Sequence, residues 1–245
     1  MNDLFTDIED RGLEYVGASR IEGPLVVVDR VRDVGYDETV EIIDPSGNPR
    51  LGRVLDVSGK QAVVQVLEGT TGLATRTLRA RFLGESFRLP VSRQMLGRVF
   101  DGLGRPADGG PPSLSADRRD VNGMPINPFA RRYPREFIQT GLSAIDGMNA
   151  LVRGQKLPVF SGNGLPHDRV SAQIIRQARL LEERVEFSIV FAAMGIKHDV
   201  AEFFIRNFRE SGALARAVMF FSLADAPSVE RLLTPRVALT LAEHL

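Results

Sequence analysis

The sequence predicts an α/β protein with an all-β barrel in front, residues 1–70 forming the barrel and residues 71–245 the first part of a parallel-sheet domain. Short β-branched runs punctuated by turns fill the N-terminal part, and apolar strands alternate with helices from Phe137 onward. The last helix ends on its apolar face, so the sheet is expected to be incomplete at the C-terminus, with further strands belonging after Leu245.

The barrel runs are residues 24–28, 39–43, 52–57 and 61–66, separated by turn signals at 45–48 and 58–60. Short strands at this spacing suit a small closed barrel, with a sandwich sheet as the alternative. Residues 69–136 are rich in Gly, Pro and Arg, as in Asp101-Gly-Leu-Gly-Arg-Pro106 and Gly109-Gly-Pro-Pro112, and are expected to be strands and turns leading into the second domain. There the series runs helix near 143–151, strand 157–161, helix 168–182, strand 186–193, helix 198–211, strand 217–222 and helix 228–245. Apolar strands between helices of this length signal a parallel sheet covered on both faces. Ligands in such sheets lie at the C-terminal strand ends, the expected place of residues 161–168.

The chain has 245 residues, 43% hydrophobic and 25% charged, enough for one large domain or two modest ones. Lys+Arg and Asp+Glu both total 31, so no net charge marks a nucleic-acid or anionic-membrane partner. The absence of cysteine excludes disulfides, thiolate metal sites and a cysteine nucleophile, and fits a reducing cytoplasm. His167, His198 and His244 are too scattered for a metal cluster. No segment approaches about twenty uncharged apolar residues, and Asp3, Asp7, Glu9 and Asp10 make the N-terminus acidic where a signal peptide is basic. The expected place is cytoplasmic, with any membrane role indirect.

Residues 157–168, Leu-Pro-Val-Phe-Ser-Gly-Asn-Gly-Leu-Pro-His-Asp, have the layout of a phosphate-binding loop without the groups that grip a phosphate. A working loop reads G-x-x-x-x-G-K-[ST], with backbone amides cradling the phosphates, a lysine on the outer ones and a hydroxyl on magnesium. The segment here is Ser161, Gly162, Asn163, Gly164, Leu165, Pro166, His167 and Asp168, with Ser161, Pro166, His167 and Asp168 in the four defining slots. Pro166 deletes a donor and fixes φ, and His167 is mostly neutral at physiological pH. Asp168 is expected to cap the helix itself and to put negative charge where a γ-phosphate would sit. Taken alone, Gly, Pro and Asp in this order also describe an ordinary strand-to-helix turn.

Two runs give the loop a family context: Phe137-Ile-Gln-Thr-Gly-Leu-Ser-Ala-Ile-Asp146, and Leu151-Val-Arg-Gly-Gln-Lys-Leu-Pro-Val-Phe-Ser-Gly-Asn-Gly-Leu-Pro166. Together with Met95-Leu-Gly-Arg-Val-Phe-Asp-Gly-Leu-Gly-Arg-Pro106, Val190-Phe-Ala-Ala-Met-Gly195 and Leu233-Thr-Pro-Arg-Val-Ala-Leu-Thr-Leu-Ala-Glu243, they closely resemble the B subunit of V-type and A-type rotary ATPases, over the N-terminal half of that family. The resemblance implies an N-terminal barrel and a RecA-like nucleotide-domain fold. It implies a non-catalytic chain alternating with catalytic A subunits in a hexamer, with a central rotor and peripheral stalk, peripheral to the membrane and coupled to proton or sodium flow. Catalytic members of the superfamily carry Gly-Glu-Arg-Thr where this chain has Gly195-Ile-Lys-His198, so Ile196 replaces the carboxylate that orients water. The expectations are therefore no catalytic residue, no metal ligand and no nucleotide bound by this chain alone. ATP or ADP with magnesium would sit at the interface with the catalytic A subunit, served by an arginine beyond Leu245.

Ser143, in Gly141-Leu-Ser-Ala-Ile, lacks a nucleophile-elbow pattern and is expected to cap its helix. Asp117-Arg-Arg-Asp120 is expected to be a solvated loop, Arg131 and Arg132 to be solvated, and Met194, Phe203, Phe204 and Phe208 to be core. An active P-loop ATPase requires Lys and Ser or Thr at positions 167 and 168, which hold His and Asp. A RecA-like nucleic-acid motor is disfavoured by the neutral charge and by a barrel without basic and aromatic clusters.

Overall fold

The computed structural model describes residues 12–180 and 187–245. Seven strands form the first sheet: β1 (Leu13–Val16), β2 (Arg20–Glu22), β3 (Leu25–Asp29), β4 (Glu38–Ile43), β5 (Pro49–Ser58), β6 (Gln61–Val66) and β7 (Arg79–Ser86). They are antiparallel in the order β1-β7-β4-β5-β6-β3-β2. The two edge strands are one stretch of chain bent at Gly17, whose φ of +86° suits glycine. The Gly17 amide donates to Leu78 O and the Ser19 amide to Val27 O, so the same segment closes both edges. That leaves the curled sheet without long open edges.

Alternation builds its core. Val26 and Val28 of β3 and Ala62, Val64 and Val66 of β6 point inward and are fully buried, joined by Phe82 from β7. Each large apolar side chain so buried contributes about 1.5–3 kcal/mol. Asp44 Oδ1 accepts from the Ser46 and Asn48 amides, which shapes the β4–β5 turn and lowers its carboxyl pKa, chiefly through the Asn48 amide. β7 lies past the boundary expected at residue 70: it pairs with both β1 and β4, and the sheet runs on to Ser86.

Next come β8 (Arg88–Pro90), β9 (Val99–Asp101) and β10 (Arg118–Asp120). β8 and β10 form an antiparallel ribbon, so residues 117–120 are largely strand rather than the expected solvated loop, with Asp117 held by Arg119 and His244. The remaining elements are β11 (Ile138–Gln139), α1 (Ser143–Met148), α2 (His167–Gln177), β12 (Arg179–Leu180), β13 (Ile189–Ile196), α3 (His198–Glu210), β14 (Ala217–Leu223) and α4 (Glu230–His244). Residues 181 and 182 of the expected helix and 186 of the expected strand lie outside the described residues.

The parallel sheet has the order β13-β14-β9. Its central strand alternates: Val218 and Phe220 pack with Val237 and Leu241 of α4, while Met219 and Phe221 pack with Phe204 and Phe208 of α3. Both faces are covered, as a parallel sheet requires. Leu51 and Leu67 of the barrel share the cluster on the α4 face, so the barrel packs against the parallel-sheet domain there, apart from its own interior cluster. Met194, expected in the core, is 43% exposed, because it lies at the irregular end of β13 where the register shifts.

Candidate functional site

The segment expected as the phosphate-loop strand, residues 157–161, is not a strand. β14 is flanked by β13 and β9, and the segment finds no ladder partner among the described residues. Pro158 supplies no amide, and Phe160 is 93% exposed. Residues 161–168 therefore do not sit at the end of a sheet strand; they form an exposed turn that leads straight into α2.

Within that turn the chain's own groups face one another. The Leu165 amide donates to Gly162 O, the His167 amide to Leu165 O, and the Arg169 and Val170 amides to Pro166 O. The amides of Leu165, His167 and Arg169 are thus spent locally. His167 Nδ1 lies 3.3 Å from Ser161 Oγ, which also donates to Gly162 O, and His167 Nε2 lies 3.6 Å from Asp168 Oδ1. Gly164 takes a φ of +83°, and Asn163 is exposed beside it. Asp168 does not cap α2: Pro166 holds the N-cap position and no side chain caps it. The carboxylate turns to the imidazole instead. Ser143 likewise does not cap α1, whose N-cap is Leu142. Asp146 gathers that turn, accepting from the Thr140 amide and hydroxyl and from the Gly141 amide, and these bonds lower its pKa.

The C-terminal ends of the parallel strands carry contacts within the chain. Ile196 closes β13 and packs into the α3 core. Ile196 O accepts from the Ala224 amide. His198 Nε2 lies 3.1 Å from Asp225 Oδ2, tying the start of α3 to the turn after β14, and this contact heads the causes that lower the Asp225 pKa. Arg231 Nη2 donates to the carbonyls of Leu223, Ala224 and Ala226, and its guanidinium lies against Gly195.

Sequence reasoning missed the polar cluster at the end of β9. Asp101 Oδ1 accepts from the Leu103 and Arg105 amides, and Arg105 reaches back to Glu68 beyond β6, which also accepts from the Leu51 amide. Glu230, at the start of α4, faces Gly102. Burial raises the pKa of Asp101 and, first among its causes, that of Glu230, which the Asp101 charge raises further. Such shifts mark candidate reaction sites, but here the carboxylates are committed to the chain's own donors and build the junction between barrel and sheet. The only signal in the sequence was charge inside the Asp101-Gly-Leu-Gly-Arg turn, read there as punctuation.

Among the described residues no group of three His, Asp or Glu side chains is arranged to hold a metal ion. The loop carries His167 and Asp168 where a working loop has a lysine and a metal-binding hydroxyl.

Residues 18–84 match the model of the ATP synthase alpha/beta family, beta-barrel domain, and residues 141–245 that of the ATP synthase alpha/beta family, nucleotide-binding domain. The V-type ATP synthase beta chain of Halothermothrix orenii is 57% identical over 232 residues, covering 95% of this chain and 50% of that protein. The B subunit of the A-type ATP synthase of Methanopyrus kandleri is 56% identical over 234 residues, covering 96% of this chain and 24% of that protein. The chain therefore spans about half the length of the first relative and a quarter of the second. With a barrel and a parallel nucleotide-domain sheet each matched in chain order, the protein belongs to the ATP synthase alpha/beta family.

Proposed function

We propose that this chain acts as a non-catalytic, B-type subunit of a membrane-coupled rotary ATP synthase or ATPase. The supporting observation is the loop at Ser161–His167–Asp168, folded onto itself where a catalytic relative would grip a triphosphate. Ile196 in place of a water-orienting carboxylate supports the same reading. Among the described residues no helix is long and apolar enough to cross a membrane, which agrees with a role peripheral to it.

In this role the nucleotide-domain fold is a rigid wall. It alternates with catalytic A-type subunits around a rotor, braced by a peripheral stalk, and the ATP or ADP with magnesium belongs to the shared interface. Rotation changes how the wall meets its neighbour, so closure of the catalytic site follows the rotor angle. The chain's part is mechanical, and ion translocation is the work of the assembly.

Calorimetry of the chain with magnesium ATP, alongside phosphate release, tests the reading. The expected result is neither micromolar binding nor turnover by the chain alone. Micromolar affinity that survives Ile196→Ala and is lost on changing the 161–168 loop would overturn it.

A further inference from the structure

Five Asp-Gly or Asn-Gly pairs lie along the chain: Asp101-Gly102, Asp108-Gly109, Asn122-Gly123, Asp146-Gly147 and Asn163-Gly164. Such a pair is chemically labile, because a glycine nitrogen, with no β-carbon beside it, can close on the side-chain carbonyl carbon of the residue before it. The fold holds four of the five. Asp101 Oδ1 accepts from the Leu103 and Arg105 amides. Asp108 is forked onto Arg98, and Asp146 gathers Thr140 and Gly141. Asn122 Oδ1 accepts from Arg236 Nη1 at 2.8 Å, and the Gly123 amide, whose nitrogen would have to attack, donates to Asp120 O at 3.1 Å.

Asn163-Gly164 is the exception. Both residues are exposed, and neither the Asn163 side chain nor the Gly164 amide has a hydrogen-bond partner among the described residues. The pair occupies the middle of a turn closed only by the Leu165 amide on Gly162 O, at 3.3 Å, which is long for such a bond. A β-carbon built on Gly164 would meet nothing within 4 Å, so the space around the pair is open. Identical dipeptides at 122 and 163 therefore sit in opposite situations, one tied at both reacting groups and the other at neither.

We propose that Asn163 is a site of spontaneous deamidation. The Gly164 nitrogen attacks Asn163 Cγ, and the new N–Cγ bond closes a cyclic imide. The Cγ–Nδ2 bond breaks, and Nδ2 leaves as ammonia with the proton that Gly164 gives up. Water then opens the ring at either of its carbonyls. Opening at Cγ leaves aspartate, and opening at the main-chain carbonyl leaves isoaspartate, whose main chain is one carbon longer. Each product places a second carboxylate in the loop that already carries Asp168. The isoaspartyl form is the substrate class of carboxyl methyltransferases that use S-adenosylmethionine. The reaction needs only the chain and water, and does not depend on the rotary-complex reading.

The test follows two tryptic peptides of the folded chain after days at mildly alkaline pH. Cleavage after Lys156 and Arg169 isolates Asn163, and cleavage after Arg119 and Arg131 isolates Asn122. Asn127, in the second peptide, precedes Pro128, which has no N–H to give up. Conversion is read by mass spectrometry and by enzymatic methyl transfer to isoaspartate. Asn122 must first release two hydrogen bonds, so Asn163 is expected to convert about ten- to thirtyfold faster. In concentrated urea, where the fold no longer separates the two pairs, their rates should come together. Asn163→Gln, at an exposed position without partners, should silence the first peptide, because a longer side chain must close a larger and slower ring. Equal rates at Asn163 and Asn122 in the folded chain, or conversion of Asn163 only after unfolding, would overturn the proposal.

Discussion

Glu230 closes over Gly102: its Oε1, together with Thr234 Oγ1, occupies the space that a β-carbon on residue 102 would need. The missing side chain lets the first turns of α4 settle on the end of β9. Gly102→Ala would push a buried carboxylate out of a cluster with no spare room, and is expected to cost about 1–3 kcal/mol. A urea melt should show a lower midpoint at unchanged slope. Gly147→Ala, in α1 with nothing within 4 Å of the added carbon, is the control and should be neutral or stabilising by up to about 1 kcal/mol. Equal behaviour of the two variants would mean that the Glu230 contact is dispensable.

Arg105 is the cation among Glu68, Asp101 and Glu230, so Arg105→Met should expose their mutual repulsion. Breaking a largely buried ionic group by removing one partner costs about 3–5 kcal/mol. The loss should shrink on acidification, and the sign follows from the direction of the shifts. Asp101 and Glu230 have folded pKa values raised above 3.8 and 4.5, so their penalty is full above the folded values and relieved as pH falls toward the unfolded ones. Urea melts of parent and variant should therefore converge as pH falls from neutral through the folded values. A gap that stays constant would detach these carboxylates from Arg105.

Asp108 has the opposite sign. Its side chain accepts a forked pair of hydrogen bonds from Arg98 Nε and Nη2 and further ones from the Gly110 and Val99 amides, and its pKa is pulled down to about 2, chiefly by Arg98. A depressed carboxyl pKa contributes stability above the unfolded value of 3.8 that is lost as pH falls through about 2. With both partners partly exposed, Asp108→Asn is expected to cost on the order of 1 kcal/mol at neutral pH. Thermal melts should show that difference shrinking as pH falls below 3.8 and through about 2, as the folded carboxyl takes up its proton. A difference that persists in acid would point to packing rather than charge.

Local pattern made most of the barrel legible in advance. The runs at 24–28 and 61–66 are β-branched in sequence and alternate in burial in the sheet, because register is imposed by the buried face. β1 and β7 escaped notice because Leu13–Val16 and Arg79–Ser86 carry charges on their outer faces and acquire meaning only by pairing, β1 with β7 and β7 also with β4. The 157–161 run failed for the converse reason: apolar composition is necessary for a buried strand, but a strand exists only where a neighbour offers a ladder. At the loop, the chemistry of Pro166, His167 and Asp168 was readable from residue type, whereas the choice of His167 over the helix amides as the partner of Asp168 needed three-dimensional placement. The Glu68–Arg105 link joins the end of the barrel to the turn after β9, and the charge in that turn does not reveal its partner in sequence.

Glu38 holds two distant pieces of backbone with one carboxylate. Oε2 accepts from the Gly35 amide at 2.9 Å and Oε1 from the Gly84 amide at 2.7 Å, and the residue is only 6% exposed. On one side is the loop from β3 to β4, in which Arg30, Asp33 and Asp37 all take positive φ, a conformation costing roughly 1 kcal/mol or more per residue without glycine. On the other is a bulge in β7: Glu38 pairs with Ser86 and Val40 with Phe82, so two residues of advance on β4 are matched by four on β7. A strained loop and a bulge persist only when their surroundings over-determine them, and Glu38 is the group common to both. Glu38→Ala should therefore cost about 2–3 kcal/mol, with both amides left unsatisfied. Glu38→Gln should cost about half as much, since its amide oxygen keeps one bond while its NH2 group faces the other donor. Hydrogen exchange separates the cases: Gly35 and Gly84 should both lose protection in the alanine variant and only one of them in the glutamine variant. If Gly84 stays protected in both, the bulge is held by the ribbon alone and the two halves of this clamp are independent.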